Sequence, residues 1–517
     1  MTGSEAKIVA YMEGADKRFV IPVYQRNYDW KIENCKQLYD DLVRVVSNNR
    51  NSHFFGSIVS VVKDGGYSEH LVIDGQQRLT TISLLSLAMY KLMKNGVLKP
   101  ASKSLPYRIM ETILIDKYHD EEECKLCPVK NDQEAYKRLF GDESDYIPDS
   151  NMTINYEYFY DRIQKQEITI DQLYEAISRL VIINITLKQE DDPQLIFESL
   201  NSTGLALSEG DKIRNFILMG LPAKQQEKFY TSYWNPIEKC TDYDVSAFVR
   251  DFLSLKQLSI PTMSKVYVTF KAYVEGLGTD IESLLQELLR YARWYKILLK
   301  GTGLQDALDY CIYRLNLLET TVTRPFFLEV LRLQSEGKLT PAEVTEIFQY
   351  TENYLFRRSV CSIPTNSLNK TFLMLHHEIM RYDGTEGDYV AKFKYALLSK
   401  TEVRRFPDDT EFTEALSVRQ VYTKMKGKNK VYLLERLENN NTVEDKNIYK
   451  HYNQEKCSIE HIMPQQLTPA WIAELGEDYE QIHETWLHRL ANLTLTGYNS
   501  KYSNRSFAEK RDMENGF

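Results

Sequence analysis

The chain is 517 residues long, with 64 basic and 73 acidic side chains, a net charge of −9 and 43% hydrophobic residues. That length exceeds what one hydrophobic core serves and points to about three domains; the composition, with 15 prolines and 22 glycines, excludes disorder as the main state and a collagenous or low-complexity chain. A net negative protein does not coat nucleic acid indiscriminately, so any DNA contact must be local. A nuclease stays open, because it needs only one basic groove and a metal.

No apolar run approaches the roughly 20 residues of a membrane span, and the N-terminus lacks the basic and apolar regions of a secretory signal. Seven scattered cysteines make no disulfide framework. A cytoplasmic protein without membrane contact is expected. The 35 tyrosines read first as core and interface filler rather than as base-stacking platforms.

Along the chain, Phe19–Tyr24 predicts a short strand, and Glu33–Val46 a helix through Leu38, Leu42, Val45 and Val46. Phe54–Val62 (FFGSIVSVV) predicts a strand, Lys63–Gly66 a hairpin turn, and Leu71–Ile73 a second strand. Apolar residues at three- and four-residue steps from Leu79 to Met93 predict a buried helix directly after it. Cys124 and Cys127 form a lone C-x-x-C without a second pair, favouring a structural role over zinc. Val181–Leu187 predicts a strand, Phe197–Gly204 a helix end, and Ser208 the N-cap of the next helix. From 208 to about 400 the pattern is helical with no clean repeat; this middle suits either an oligomer interface or the spine of a monomer. The segment Lys424–Lys430 puts four lysines in seven residues, a solvated loop by default and a phosphate-contacting loop as the sharper alternative.

Two clusters carry chemistry. Asp74-Gly75-Gln76-Gln77-Arg78, between a strand and a helix, is suited to an anion: glycine permits close approach, the helix start supplies donors, and Arg78 can grip phosphate. Asp74 could hold Mg²⁺. The equally weighted alternative is a buried polar network joining this loop to Arg26, since no Walker A pattern exists in the chain. The second cluster orders Glu460-His461, Asn492 and Asn499 on a strand, a second strand and a helix start. Single-metal phosphodiester hydrolysis needs such a set: a neutral histidine to deprotonate water, an oxygen-ligated Mg²⁺ at the leaving oxygen, and a group fixing the imidazole. Each feature alone suits a surface pair or a turn former; the ordered trio favours the site.

The stretches IPVYQRNYDW, DGQQRLTT and FESLNSTG resemble the N-terminal domain of GmrSD-type modification-dependent restriction proteins, and SIEHIMPQ, LANLTLTGYNSKYSN and FAEK resemble their HNH nuclease domain. The resemblance implies an α+β, mostly helical chain: a ParB/sulfiredoxin-like domain over 1–207, a helical linker over 208–400, and a ββα-metal nuclease over 401–517. It implies nucleoside triphosphate binding around Tyr24, Gln25, Arg26, Asp74, Gly75, Gln76, Gln77, Arg78 and Asn201. In the nuclease it implies Glu460 and Asn499 as ligands of Mg²⁺ or another divalent cation, His461 as general base, Asn492 holding the histidine loop, and Lys501 and Lys510 contacting DNA. Ala491 stands where the family commonly has glycine. The sequence stops shortly after Lys510, where such proteins continue, so truncation is expected. The expected function is a nucleotide-regulated, Mg²⁺-dependent endonuclease acting on double-stranded, modified phage DNA. A nucleotide-hydrolysing DNA-binding regulator and a non-catalytic adaptor are the alternatives.

Overall fold

The β-branched run at 54–62 lies within a strand, His53–Lys63, in the computed structural model of the chain. The structure describes residues 1–14, 17–63, 68–116, 123–188, 191, 196, 207–278, 280–304, 306–318, 320–440, 442, 446, 448–514 and 516. It is α+β and mostly helical, and by internal contacts it forms two units, Met1–Pro236 with Ser264–Gln286, and Ile237–Met263 with Glu287–Phe517. Among the described residues no helix is long and apolar enough to cross a membrane.

The first unit is built on a mixed six-stranded sheet. Its strands are β1 (Thr2–Lys7), β2 (Lys17–Val20), β3 (His53–Lys63), β4 (Ser68–Asp74), β5 (Leu126–Cys127) and β6 (Leu180–Leu187), in spatial order β1-β6-β3-β4-β2-β5. β1 runs antiparallel to β6 and β3 antiparallel to β4, while β3–β6, β2–β4 and β2–β5 are parallel. The strand expected over Phe19–Tyr24 ends early, at Val20. Pro22 has no N–H for a ladder and its carbonyl instead accepts from Gln25 N in a turn (2.9 Å). The expected turn at Lys63–Gly66 lies mostly outside the described residues.

Against this sheet pack α1 (Ile32–Ser47), which buries Leu38, Leu42 and Val45 on one face, and α2 (Gln76–Lys94), whose buried positions include nearly every residue from Leu79 to Met89. A helix apolar on all sides belongs inside a core. Ser208 caps α3 (Glu209–Leu218), its side chain accepting from Asp211 N.

The second unit is helical for most of its length, including α4 (Arg324–Ser335), α5 (Pro341–Val360), α6 (Leu368–Met380), α7 (Tyr389–Leu398) and α8 (Gly427–Glu438). Phe326, Phe327, Phe348, Phe372 and Phe393 fill its core by ring–ring contact. Near its C-terminal end, β7 (Ser458–His461) and β8 (Leu493–Thr496) form a two-stranded antiparallel sheet, followed by the short helix Asn499–Tyr502 and by α9 (Phe507–Asp512).

Candidate functional site

In the first unit, β4 ends at Asp74 and α2 begins at Gln76, with Gly75 between them at φ +93°. A Cβ on Gly75 would sit 2.9 Å from the Ser57 carbonyl oxygen and from Ile58, so only glycine lets the loop lie this close to β3. β3 shifts register against β6 between Phe54 and Gly56. At that irregularity Gly56 has φ +116°, and a Cβ there would meet the Arg78 guanidinium at 2.6 Å. Arg78 thus lies flat across a bare backbone, donating from Nη1 to the Ser57 carbonyl (2.9 Å) and facing Asp74 at 3.7 Å. Burial pushes the Asp74 carboxyl up, opposed by Arg78, the Gly75 N–H and Arg26.

The glutamines do other work. Gln25 Nε2 donates to the Ile73 carbonyl (2.8 Å), and Gln76 Nε2 donates to Gln25 Oε1 (3.1 Å). Gln77 Oε1 accepts from Asp29 N and Trp30 N, and its Nε2 donates to the Asn27 carbonyl. Tyr24 is buried, and its carbonyl accepts from Arg214 Nε (2.7 Å). Tyr24, Gln25, Gln76 and Gln77, expected at a nucleotide, therefore spend their polar groups or their burial on holding the two loops together. Arg26, Asp74 and Arg78 keep partly exposed charged heads, with Arg26 3.7 Å from Asp29. Asn201 and the rest of Phe197–Gly204 fall outside the described residues. The sequence did not reveal Gly56, Ser57 or Arg214; the glycine inside an apolar strand was the one available signal.

In the second unit, the β7–β8 register sets His461 opposite Leu493 and Glu460 opposite Thr494. Asn492, just before β8, fastens the chain after the histidine: its Oδ1 accepts from Met463 N (2.6 Å) while Nδ2 donates to the carbonyls of Met463 (3.0 Å) and Leu487 (2.9 Å).

His461 is enclosed. Its Nε2 lies 3.3 Å from His488 Nδ1, and the Tyr422 ring meets it edge-on at 4.4 Å while stacking on His488 at 5.6 Å. Burial, followed by the neighbouring His488, Lys510, His483 and Lys430, pushes the His461 imidazole down to about 4, so it is neutral at pH 7 and able to accept a proton. Neither His488 nor Tyr422 was singled out in the sequence.

Glu460 Oε1 accepts from Lys510 Nζ at 2.7 Å. The same ammonium donates to the carbonyls of His461 (3.0 Å) and Ile462 (2.9 Å), and the lysine is fully buried on α9. All three of its protons are committed, so Lys510 braces the strand end and does not reach out to a phosphate, contrary to expectation. Lys501 is exposed beside the Tyr498 ring (5.2 Å). Asn499 Nδ2 donates to Ser458 Oγ (2.9 Å) and to the Ile459 carbonyl (3.2 Å). The second Glu460 oxygen and the Asn499 amide oxygen are hard donors, the type Mg²⁺ prefers when it keeps several waters. Among the described residues no group of three or more His, Cys, Asp or Glu gathers as a metal cage.

The model of the GmrSD restriction endonuclease N-terminal domain matches residues 9–218, which contain the Asp74–Arg78 loop. That of the GmrSD restriction endonuclease C-terminal domain matches residues 406–516, which contain Glu460, His461 and Asn499. No curated protein matches the chain. The two matches, in this order and over most of the chain, define a restriction nuclease of defence whose substrate is DNA. The chain belongs to the GmrSD restriction endonuclease family.

Proposed function

We propose that the chain is a nucleotide-regulated, Mg²⁺-dependent DNA endonuclease directed at modified phage DNA, with His461 as general base. The observation that carries this reading is the buried, neutral imidazole of His461 beside Glu460, on a strand end fixed by Asn492. With Nε2 turned to His488, Nδ1 is the nitrogen that takes the proton of the attacking water. The water oxygen bonds to phosphorus as the P–O3′ bond breaks, and the leaving oxygen acquires a proton from solvent. Mg²⁺, held by Glu460 and Asn499, would supply positive charge at that oxygen. His488 and Tyr422 orient the base, and Lys510 keeps the end of β7 in place.

In the first unit, Arg26 and Arg78 would grip the nucleotide's phosphates and Asp74 its cation, on the loop that Gly56 and Gly75 bring close to β3. The buried glutamines pre-form that loop, so ordering costs are met before a ligand arrives.

The test is cleavage of matched modified and unmodified phage DNA with Mg²⁺, with and without each nucleoside triphosphate, by the unaltered chain and His461→Ala. Expected is cutting of the modified DNA that responds to nucleotide and falls at least about a hundredfold in the variant. Undiminished cutting by His461→Ala sinks the assignment of the base. A second reading, a nucleotide-hydrolysing regulator that binds DNA without cutting it, is favoured by the coverage of His461, whose residue is 4% exposed. It expects DNA retention and nucleotide turnover with no strand breaks in the same assay.

A further inference from the structure

From Ala415 to Leu434 the chain contains no Asp or Glu, yet it holds Arg419, Lys424, Lys426, Lys428 and Lys430. This basic stretch in an acidic protein is not a loose loop. Val421, Met425 and Asn429 are buried at four-residue steps, and Asn429 Nδ2 donates to Ser359 Oγ (2.9 Å). Arg419 turns inward, donating to the Val360 carbonyl (2.9 Å), to Ser362 Oγ and to the Lys424 carbonyl (3.2 Å). Between these anchors Lys424, Lys426 and Lys428 are exposed.

The stretch is also fastened to His461. Tyr422 N donates to the His488 carbonyl (3.1 Å), and the Tyr422 ring touches both His461 and His488. Lys430 crosses the other side of that tyrosine, donating to its carbonyl (2.7 Å) with Nζ 4.7 Å from the ring centroid. A row of exposed lysines on an anchored backbone thus begins two residues from the aromatic ring that lies on His461. Flexible surface lysines would pay rotamer and backbone entropy to line a polyanion; here the backbone part is already paid by the buried anchors.

We propose that Lys424, Lys426 and Lys428 form the platform for the phosphate backbone of duplex DNA, which reaches His461 across Tyr422. The inference rests on the nuclease reading for its substrate. Contacts of this kind carry affinity and position the duplex without reading its sequence.

The experiment measures duplex DNA binding by fluorescence anisotropy over a salt series, using the full chain with His461→Ala so that nothing is cut. That protein is compared with versions also carrying Lys424→Gln, Lys426→Gln and Lys428→Gln together, or the three as arginine. Losing three phosphate contacts should flatten the slope of log K against log salt by about 2.7, at about 0.9 per contact. The arginine version should keep the slope, and a melting temperature close to the parent's shows that the glutamine version is folded. An unchanged slope in the folded glutamine version, or no DNA binding by the parent, overturns the proposal. Cutting by the unaltered chain is scored separately: lysine-dependent binding without any strand break keeps the platform and removes the nuclease reading, while cutting with lysine-independent binding does the reverse.

Discussion

The ammonium of Lys510 lies 2.7 Å from Oε1 of Glu460, with the lysine fully enclosed and the glutamate side chain 7% exposed. The Glu460 carboxylate thus carries its own counter-charge, brought from a helix 50 residues further along. Removing one partner of a buried pair strands the other charge, at a typical cost of about 3–5 kcal/mol. Lys510→Met should therefore lower the stability of the second unit by about 3 kcal/mol. Lys510→Met combined with Glu460→Gln should recover much of that loss. Denaturant unfolding decides it, and a loss below about 1 kcal/mol for the single variant would show that the pair is not closed in solution.

His488 offers a second prediction. It presents Nδ1 to His461 Nε2 and stacks on Tyr422, so in the proposed mechanism it would position the base. His488→Ala should reduce kcat roughly 10–100-fold while leaving DNA affinity unchanged. His488→Asn, whose side-chain amide can stand near the Nδ1 position, should retain more activity. Equal kcat for the alanine and asparagine versions would count against a hydrogen-bonding role.

At the other site, Gly56→Ala puts a methyl group where the Arg78 guanidinium lies and forces alanine to φ +116°. Both the strand irregularity and the arginine must move. The expected result is a loss of about 1–3 kcal/mol in stability and roughly tenfold weaker nucleotide binding by calorimetry, the worth of one charge-assisted hydrogen bond. Unaltered nucleotide affinity would remove Arg78 from the phosphate site.

The fourth prediction concerns pH. Burial pushes the Asp132 carboxyl up to about 6, opposed by the Tyr28 N–H that it accepts at 2.6 Å. The folded state therefore holds this proton more tightly than the unfolded chain does. Its contribution to stability is complete below about pH 4 and is lost as pH rises to about 6, on the order of 2 kcal/mol in all. Asp132→Asn keeps an acceptor for Tyr28 and should erase that part of the pH dependence. Melting temperatures at pH 4.5 and 7 for both chains test it; identical pH profiles would rule Asp132 out as the source.

Much of the fold was readable in the sequence where side chains face one environment. FFGSIVSVV and the Leu79–Met93 spacing mark β3 and α2 because burial leaves an apolar pattern. β1 escaped notice for the opposite reason. Its residues TGSEAK are nearly all exposed, and it joins the sheet through backbone bonds to β6 that no side-chain pattern records. The same contrast runs through the sites. Glu460, His461 and Asn492 stand close in sequence to the strands that present them, so order and spacing were informative. The partners that decide what they can do, Lys510 and Tyr422, arrive from 50 residues after Glu460 and from well before it. Likewise, Gln76 and Gln77 look like ligand groups until their bonds to Gln25, Asn27, Asp29 and Trp30 are seen.

The reach of the Lys510 bond also sets a timetable. The contacts that shape the Asp74–Arg78 loop lie within residues 25–78, whereas Glu460 and His461 lack their brace until residue 510 has been added. At about 5–20 residues per second, a ribosome needs roughly 20–90 s to cover that interval. During translation the end of β7 is thus the last of these places to be fastened, and a polypeptide abandoned before residue 510 leaves Glu460 without its counter-charge.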